Sequence, residues 1–243
     1  MLPVVVSFVS TFFFAGSHIF TTLGLKHGSN PFTCSVFNIG ANAVFLWMFA
    51  LAWEPMDFLY TPYVWMFAAL GIFVPGLARH FFFIGLEHIG PSRATVVSGV
   101  TPLMSSLAAI IILGEAFKLQ TSFGTLSIVA GIMLMSLERS DQVTFDRRFI
   151  WYPLAGCVMW ALRDNLARIG LKAVSSPFTA AAVATTTGAL FFLALSVFSS
   201  KATRLELNRR SVVHFIVSGL FAAFAYLFIF TAFALGDVTR AGP

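Results

Sequence analysis

Apolar positions along the chain come as long unbroken runs, not as stripes or alternations, and short polar clusters punctuate them. Runs of about 18–25 residues match the helix length that crosses a hydrocarbon core of about 30 Å. They predict spans at 4–24, 32–52, 63–86, 92–114 and 121–138, then at 150–171, 177–198 and 212–235. The separators at 26–30, 54–57, 87–92 and 115–120 are rich in turn-forming and charged residues. The longest polar stretches are 138–148 and 199–211. The first of these follows five spans and divides the chain into a unit at 1–138, a loop at 139–149 and a second unit at 150–243.

The two units repeat each other. Gly24-Leu25-Lys26-His27-Gly28-Ser29-Asn30-Pro31-Phe32-Thr33 returns as Gly170-Leu171-Lys172-Ala173-Val174-Ser175-Ser176-Pro177-Phe178-Thr179, with seven of ten positions identical at one fixed offset. Gly71 through Gly90 aligns with Gly219 through Gly236. Ile89-Gly90-Pro91-Ser92-Arg93-Ala94 is echoed, with one extra residue, by Leu235-Gly236-Asp237-Val238-Thr239-Arg240-Ala241. Copies separated by an odd number of spans lie in opposite orientations across the bilayer, an inverted repeat with its site between the halves. The second copy is shorter than the first by about 40 residues. It reads as an incomplete unit, giving eight full spans and the start of a ninth; a natural eight-span form is the alternative.

Composition sharpens this picture. Of 243 residues, 58% are hydrophobic and 10% charged, against roughly 25% charged in an average soluble domain. The chain is therefore an integral membrane protein by expectation, with the lipid bilayer as its first partner. The net charge of +5 is not a nucleic-acid signal, because most of the basic residues sit in loops between spans, where they mark topology. One side collects Lys26, Arg93, Arg139, Arg147, Arg148, Lys201, Arg204, Arg209 and Arg210; the other has Lys118, Lys172 and Arg240. The positive-inside rule puts the richer side in the cytoplasm and the amino terminus outside. Cys34 and Cys157 both lie in apolar segments and imply neither a disulfide nor a metal site. No cofactor is expected.

The segment Gly85-Leu86-Glu87-His88-Ile89-Gly90-Pro91-Ser92-Arg93-Ala94 is followed by Thr101-Pro102-Leu103, Leu113-Gly114-Glu115 and Ala130-Gly131-Ile132-Met133-Leu134-Met135-Ser136. In order and spacing these resemble the EamA-type branch of the drug/metabolite transporter superfamily, over essentially the whole chain. The resemblance implies an all-α membrane fold of ten helices in two inverted five-helix repeats. It also implies an inner (plasma) membrane location, both termini in the cytoplasm, and movement of small polar metabolites such as amino acids. The implied orientation is the reverse of the one the loop charges indicate.

Polar side chains within spans are the functional candidates, since a charge at the bilayer centre costs roughly 2.5–3.5 kcal/mol on insertion scales. Span 150–171 holds Arg163, Asp164 and Asn165 near its middle. Its apolar residues return only about 0.3–0.6 kcal/mol each, so the charges need neighbouring helices or an aqueous cavity. Arg163 and Asp164 are adjacent and point about 100° apart, whereas Asp164 and Arg168, at i and i+4, are placed to pair. One reading is such a structural pair with Arg163 snorkelling; the other is a polar wall of a substrate cavity. The repeat sets His18 in the position of Asp164, across the midplane, and Ser7, Thr11, His18 and Thr21 or Thr22 share a helical face. His18 is a candidate for substrate or proton handling, with a packed structural histidine as the alternative.

Arg79 and His80 follow Pro75-Gly76, a pair that frees a backbone carbonyl and bends a helix. Arg79 either binds a carboxylate or phosphate or ties helices together. Asn38 and Asn42 share a face of the second span. The stripe Thr95, Ser98, Pro102, Ser105 and Ala109 reads as a packing surface, and Trp47, Trp53, Trp65, Trp151 and Tyr152 as interfacial anchors.

A carrier of small polar molecules, monomeric or homodimeric and with proton coupling as an option, is the leading expectation. A non-transporting receptor or assembly protein is the alternative. An embedded enzyme would need a nucleophile–base or metal constellation, and the sequence has no HExxH and no clustered Cys/His ligands.

Overall fold

The computed structural model describes residues 2–114, 146–173, 176–197 and 204–235, together with helical positions 123, 127 and 130. Among the described residues the structure is helical, with no strand. In chain order it comprises α1 (Leu2–Lys26), α2 (Pro31–Trp53), a 3-10 turn (Met56–Tyr60), α3 (Tyr63–Gly71), a π-helical turn (Ile72–Leu77) and α4 (Ala78–His88). Then come α5 (Pro91–Ser98), α6 (Thr101–Leu113), a 3-10 turn (Arg147–Ile150), α7 (Trp151–Ala173), α8 (Pro177–Val197) and α9 (Arg209–Leu235). In hydrocarbon every backbone polar group must be satisfied within the segment, which leaves the helix as the form for such apolar runs.

Six described segments are long and apolar enough to cross a membrane: Val5–Lys26, Pro31–Trp53, Tyr63–His88, Pro91–Ile112, Pro177–Val197 and Arg209–Ala232. Helix α7 has the length, at 23 residues, but carries Arg163, Asp164, Arg168 and Lys172. Apart from the helical positions 123, 127 and 130, the predicted fifth span, 121–138, lies outside the described residues, as does Glu115.

Local chemistry sets the breaks. Asn30 caps α2, its side chain accepting from the Thr33 N–H at 2.8 Å, and Pro31 occupies the first turn, where no amide hydrogen is needed. The third predicted span is interrupted where Val74 leaves helical geometry (φ −144°, ψ 118°) before Pro75. The fourth divides at Gly99-Val100 into α5 and α6. That division changes the helical phase of its small residues: Thr101, Ser105 and Ala109 are buried, whereas Thr95 is exposed.

Helix α1 packs along α9, α2 against α8 and α9, α7 against α4 and α6, and the α3–π segment against α8. The largest core cluster gathers Leu46, Phe58, Phe67, Tyr226, Ile229 and Phe230 with the alanines of α8. Phe8, Phe12, Val44, Met48, Trp53, Trp65 and Trp151 face outward, as lipid-facing side chains do. Trp47 instead donates from Nε1 to Thr186 Oγ1 at 2.7 Å, so it joins α2 to α8 and is not simply an interfacial anchor.

Candidate functional site

A polar cluster lies buried where α1, α2, α4, α7 and α9 meet. Ser218 on α9 is its hub. Its hydroxyl lies 2.7 Å from the Ser17 carbonyl oxygen, 2.7 Å from Thr21 Oγ1 and 3.0 Å from Ser17 Oγ, and it accepts from Asn38 Nδ2 at 2.7 Å. The other end of the Asn38 amide, Oδ1, accepts from Arg79 Nη1 at 2.8 Å. Arg79 stands over the Tyr226 ring, 5.2 Å from its centroid, and Arg163 of α7 stands over the same ring at 5.4 Å. Cation–π contact of this kind strengthens when the cation is desolvated, and both arginines are buried. Phe14 meets Tyr226 edge-on at 5.7 Å, and the His18 ring lies 4.6 Å from Phe82.

Arg163 is also paired with Asp164, through Nε at 2.7 Å and Nη2 at 2.5 Å, both to Oδ1. This corrects the expectation that adjacent residues on a helix do not pair. The Cβ directions do diverge, but the long arginine side chain folds back and brings its guanidinium to the neighbouring carboxylate. It also removes the snorkelling reading, because Arg163 is 7% exposed and stays inside. Arg163 Nη1 and both side-chain polar atoms of Asn42 are buried without a hydrogen-bond partner among the described residues.

The other predicted residues divide around this cluster. His18 borders it through Phe14 and Phe82. Asn165 turns away toward α6, donating from Nδ2 to the carbonyls of Ser105 (3.1 Å) and Ala161 (2.8 Å). His80 lies on the α2–α8 side, with Nδ1 2.8 Å from Ser35 Oγ and its ring beside Phe32 and Phe192. Since Ser35 donates its hydroxyl hydrogen to the Pro31 carbonyl, the network assigns the proton to His80 Nδ1.

The inward face of α1 is also corrected. Ser7, Ser10, Ser17 and Thr21 are buried, whereas Thr11 is exposed and bonds back to the Ser7 carbonyl at 3.1 Å. Ser10 reaches across to the Ala225 carbonyl at 2.9 Å. Sequence reasoning passed over Ser10, Ser17 and Ser218. The available signal was small hydroxyls spaced by three, four and seven in an apolar helix.

Contacts between the halves come in exchanged pairs. There is no room for a Cβ at Gly71, where it would run into the Ala184 carbonyl, Thr187 and, from the partner side, Gly188. At Gly219 it would meet Asn38, Ala41 and Asn42. The repeat offset carries Asn38, Ala41 and Asn42 onto Ala184, Thr187 and Gly188, and Gly71 aligns with Gly219. Likewise Gly24 abuts Phe215 while Gly170 abuts Phe67. A third pair fastens opposite ends of the antiparallel α2–α8 couple. Thr33 Oγ1 accepts from the Glu206 N–H at 2.9 Å, whereas the Glu54 carboxylate accepts from Phe178 N (2.9 Å), Thr179 N (2.7 Å) and Thr179 Oγ1 (2.8 Å).

With this geometry in hand, known proteins add the following. The sequence matches the EamA-like transporter family over residues 1–137 and 148–243. A WAT1-related protein of Arabidopsis thaliana is 29% identical over 147 residues, covering 56% of this chain and 37% of that protein. The uncharacterized transporter YyaM of Bacillus subtilis is 26% identical over 154 residues, covering 62% of this chain and 48% of that protein. In these matches the chain spans about half or less of each relative's length. One solved crystal structure shares the fold, with a TM-score of 0.70 and 19% identity, over 98% of this chain and 80% of its own. Apolar helices of membrane-crossing length and a family match over nearly every residue lead to one conclusion: this chain is a multi-pass integral membrane protein and belongs to the EamA-like transporter family.

Proposed function

We propose that the chain is a secondary carrier of small polar metabolites, working by alternating access between two inverted repeats, 1–138 and 150–243. The observation that carries this is the origin of the buried cluster. Ser17, Thr21, Asn38 and Arg79 come from the first unit, and Arg163, Asp164, Ser218 and Tyr226 from the second. Charges held at the junction of two related units are what such a site requires. The exchanged glycine contacts support a pseudo-twofold relation, because those at Gly71 and Gly24 have counterparts at Gly219 and Gly170. The transporter name of the Bacillus relative points the same way.

In this reading Arg79, Arg163 and Asp164 line the substrate path with His18 beside them, while Asn165 and His80 steady the surrounding helices. The test is counterflow. The full chain is reconstituted in liposomes preloaded with an unlabelled mixture of amino acids and organic acids, then offered each labelled compound in turn. Exchange of at least one, cut tenfold or more by Asp164→Asn at equal expression, is the expected result. Saturable binding without exchange would instead favour a receptor or assembly role.

A further inference from the structure

We propose that Arg79, Arg163 and Tyr226 form a binding site for a small organic anion whose single negative charge sits between the two guanidiniums. This rests on the carrier reading above and names its substrate class. Charge balance carries the argument. Arg79 is 5% exposed and Arg163 7%, and both stand over one tyrosine ring. Among the described residues Asp164 is the one carboxylate paired with either of them, and it is committed to Arg163. Arg79 is left with a neutral amide, Asn38, and a ring. Two cations and one anion leave one positive charge over, in a place where unmatched charge is costly. A guanidinium does not shed that charge by losing a proton.

Hydrogen bonding agrees with the charge count. Arg163 Nη1 is buried without a partner among the described residues, and Arg79 meets Asn38 through Nη1. A carboxylate offers two acceptor oxygens that suit a pair of guanidinium donors. The Tyr226 ring stabilises both cations, and its hydroxyl also accepts a hydrogen bond from Arg163. The Ser218–Asn38 chain holds Arg79 from behind, so its position does not depend on a ligand. Phe14 and Phe82 border the cluster and would meet the organic body of the anion.

The test uses the full chain purified in detergent and its thermal unfolding in acetate, butyrate and benzoate, each compared with its neutral amide. At least one carboxylate should raise the Tm saturably while its amide does not. Arg79→Gln and Arg163→Gln should raise the half-saturating concentration at least tenfold, while Arg79→Lys, which keeps the charge, should change it less than threefold. Asp164→Asn should lower it at least threefold, because the resident carboxylate no longer competes for Arg163; a purely structural role does not predict tighter binding. The proposal is overturned if no carboxylate stabilises the protein, if amides do so equally, or if Arg79→Gln leaves the response unchanged. Counterflow separates the two readings. Carboxylate binding without exchange sinks the carrier and leaves the site, whereas amide exchange indifferent to Arg79→Gln sinks the site and leaves the carrier.

Discussion

Alanine at Gly71 or Gly219 should loosen the joint between the two units, and the size of the effect follows from the backbone. At Gly219 the new Cβ would lie 2.5 Å from the Asn38 carbonyl oxygen, 2.8 Å from Ala41 Cβ and 3.2 Å from the Asn42 nitrogen. Carbon–oxygen contacts settle at about 3.3–3.6 Å, so α9 must withdraw from α2 by about 1 Å. Two of the three obstacles are main-chain atoms, and no rotamer change relieves them. Overpacking of this kind costs about 1–3 kcal/mol. The withdrawal also stretches the Asn38–Ser218 hydrogen bond of 2.7 Å, worth about 1 kcal/mol. A combined loss of about 2–4 kcal/mol corresponds to a fall in Tm of about 4–16 °C for a domain of this size. Gly71→Ala meets the Ala184 carbonyl and should behave alike. Gly40→Ala is the internal control: a Cβ there has open space, so it should gain up to about 1 kcal/mol from helix propensity. Thermal unfolding in mild detergent, followed by tryptophan fluorescence, reads all three. If Gly71→Ala and Gly219→Ala melt with the wild type, the tight contacts are not holding the units together. If only one falls, the two contacts are not equivalent.

Removing one partner of the buried ion pair, by Arg163→Gln or Asp164→Asn, should cost about 3–5 kcal/mol. The double variant should regain much of that stability without regaining transport, measured by unfolding and counterflow side by side. Ser218→Ala strands the Asn38 amide and the Ser17 and Thr21 hydroxyls, and should lower stability by about 1–3 kcal/mol. Glu54→Ala removes the cap on α8 and should cost about 1–2 kcal/mol; an unchanged Tm would show the cap to be idle. Proton coupling through His18 requires a counterflow rate that varies across pH 5–8 and a flat profile in His18→Gln; a flat wild-type profile removes that role.

Much of the fold was legible because the bilayer permits so little. The described helices begin and end within a few residues of the predicted spans, and Pro75-Gly76 marked the interruption in the third. The interruption at Gly99-Val100 was not read, since apolar runs hide a local change of helical phase. The repeat paired His18 with Asp164, but a one-dimensional offset cannot say which side chains meet. Arg163 reaches Asp164 through its own length, a matter of rotamer and not of spacing. In the alignment of Gly71–Gly90 with Gly219–Gly236 Tyr226 falls opposite His80, and nothing in the sequence assigns it a further part. Its use by two arginines depends on α4, α7 and α9 converging. Thr11 was misplaced because an exposed threonine satisfies its hydroxyl on its own helix, while Ser10, one residue earlier, faces α9.

The fasteners at the two ends of the α2–α8 couple are chemically unlike. At one end a carboxylate, Glu54, grips the start of α8; at the other a neutral threonine hydroxyl, Thr33, holds the Glu206 backbone. Mobile ions weaken a charge held against a helix terminus far more than a neutral hydrogen bond. In the alternating-access cycle proposed above, ionic strength would therefore act on the Glu54 end and leave the Thr33 end unchanged. Under that proposal, the salt on the Glu54 side would bias which end of the couple stays closed.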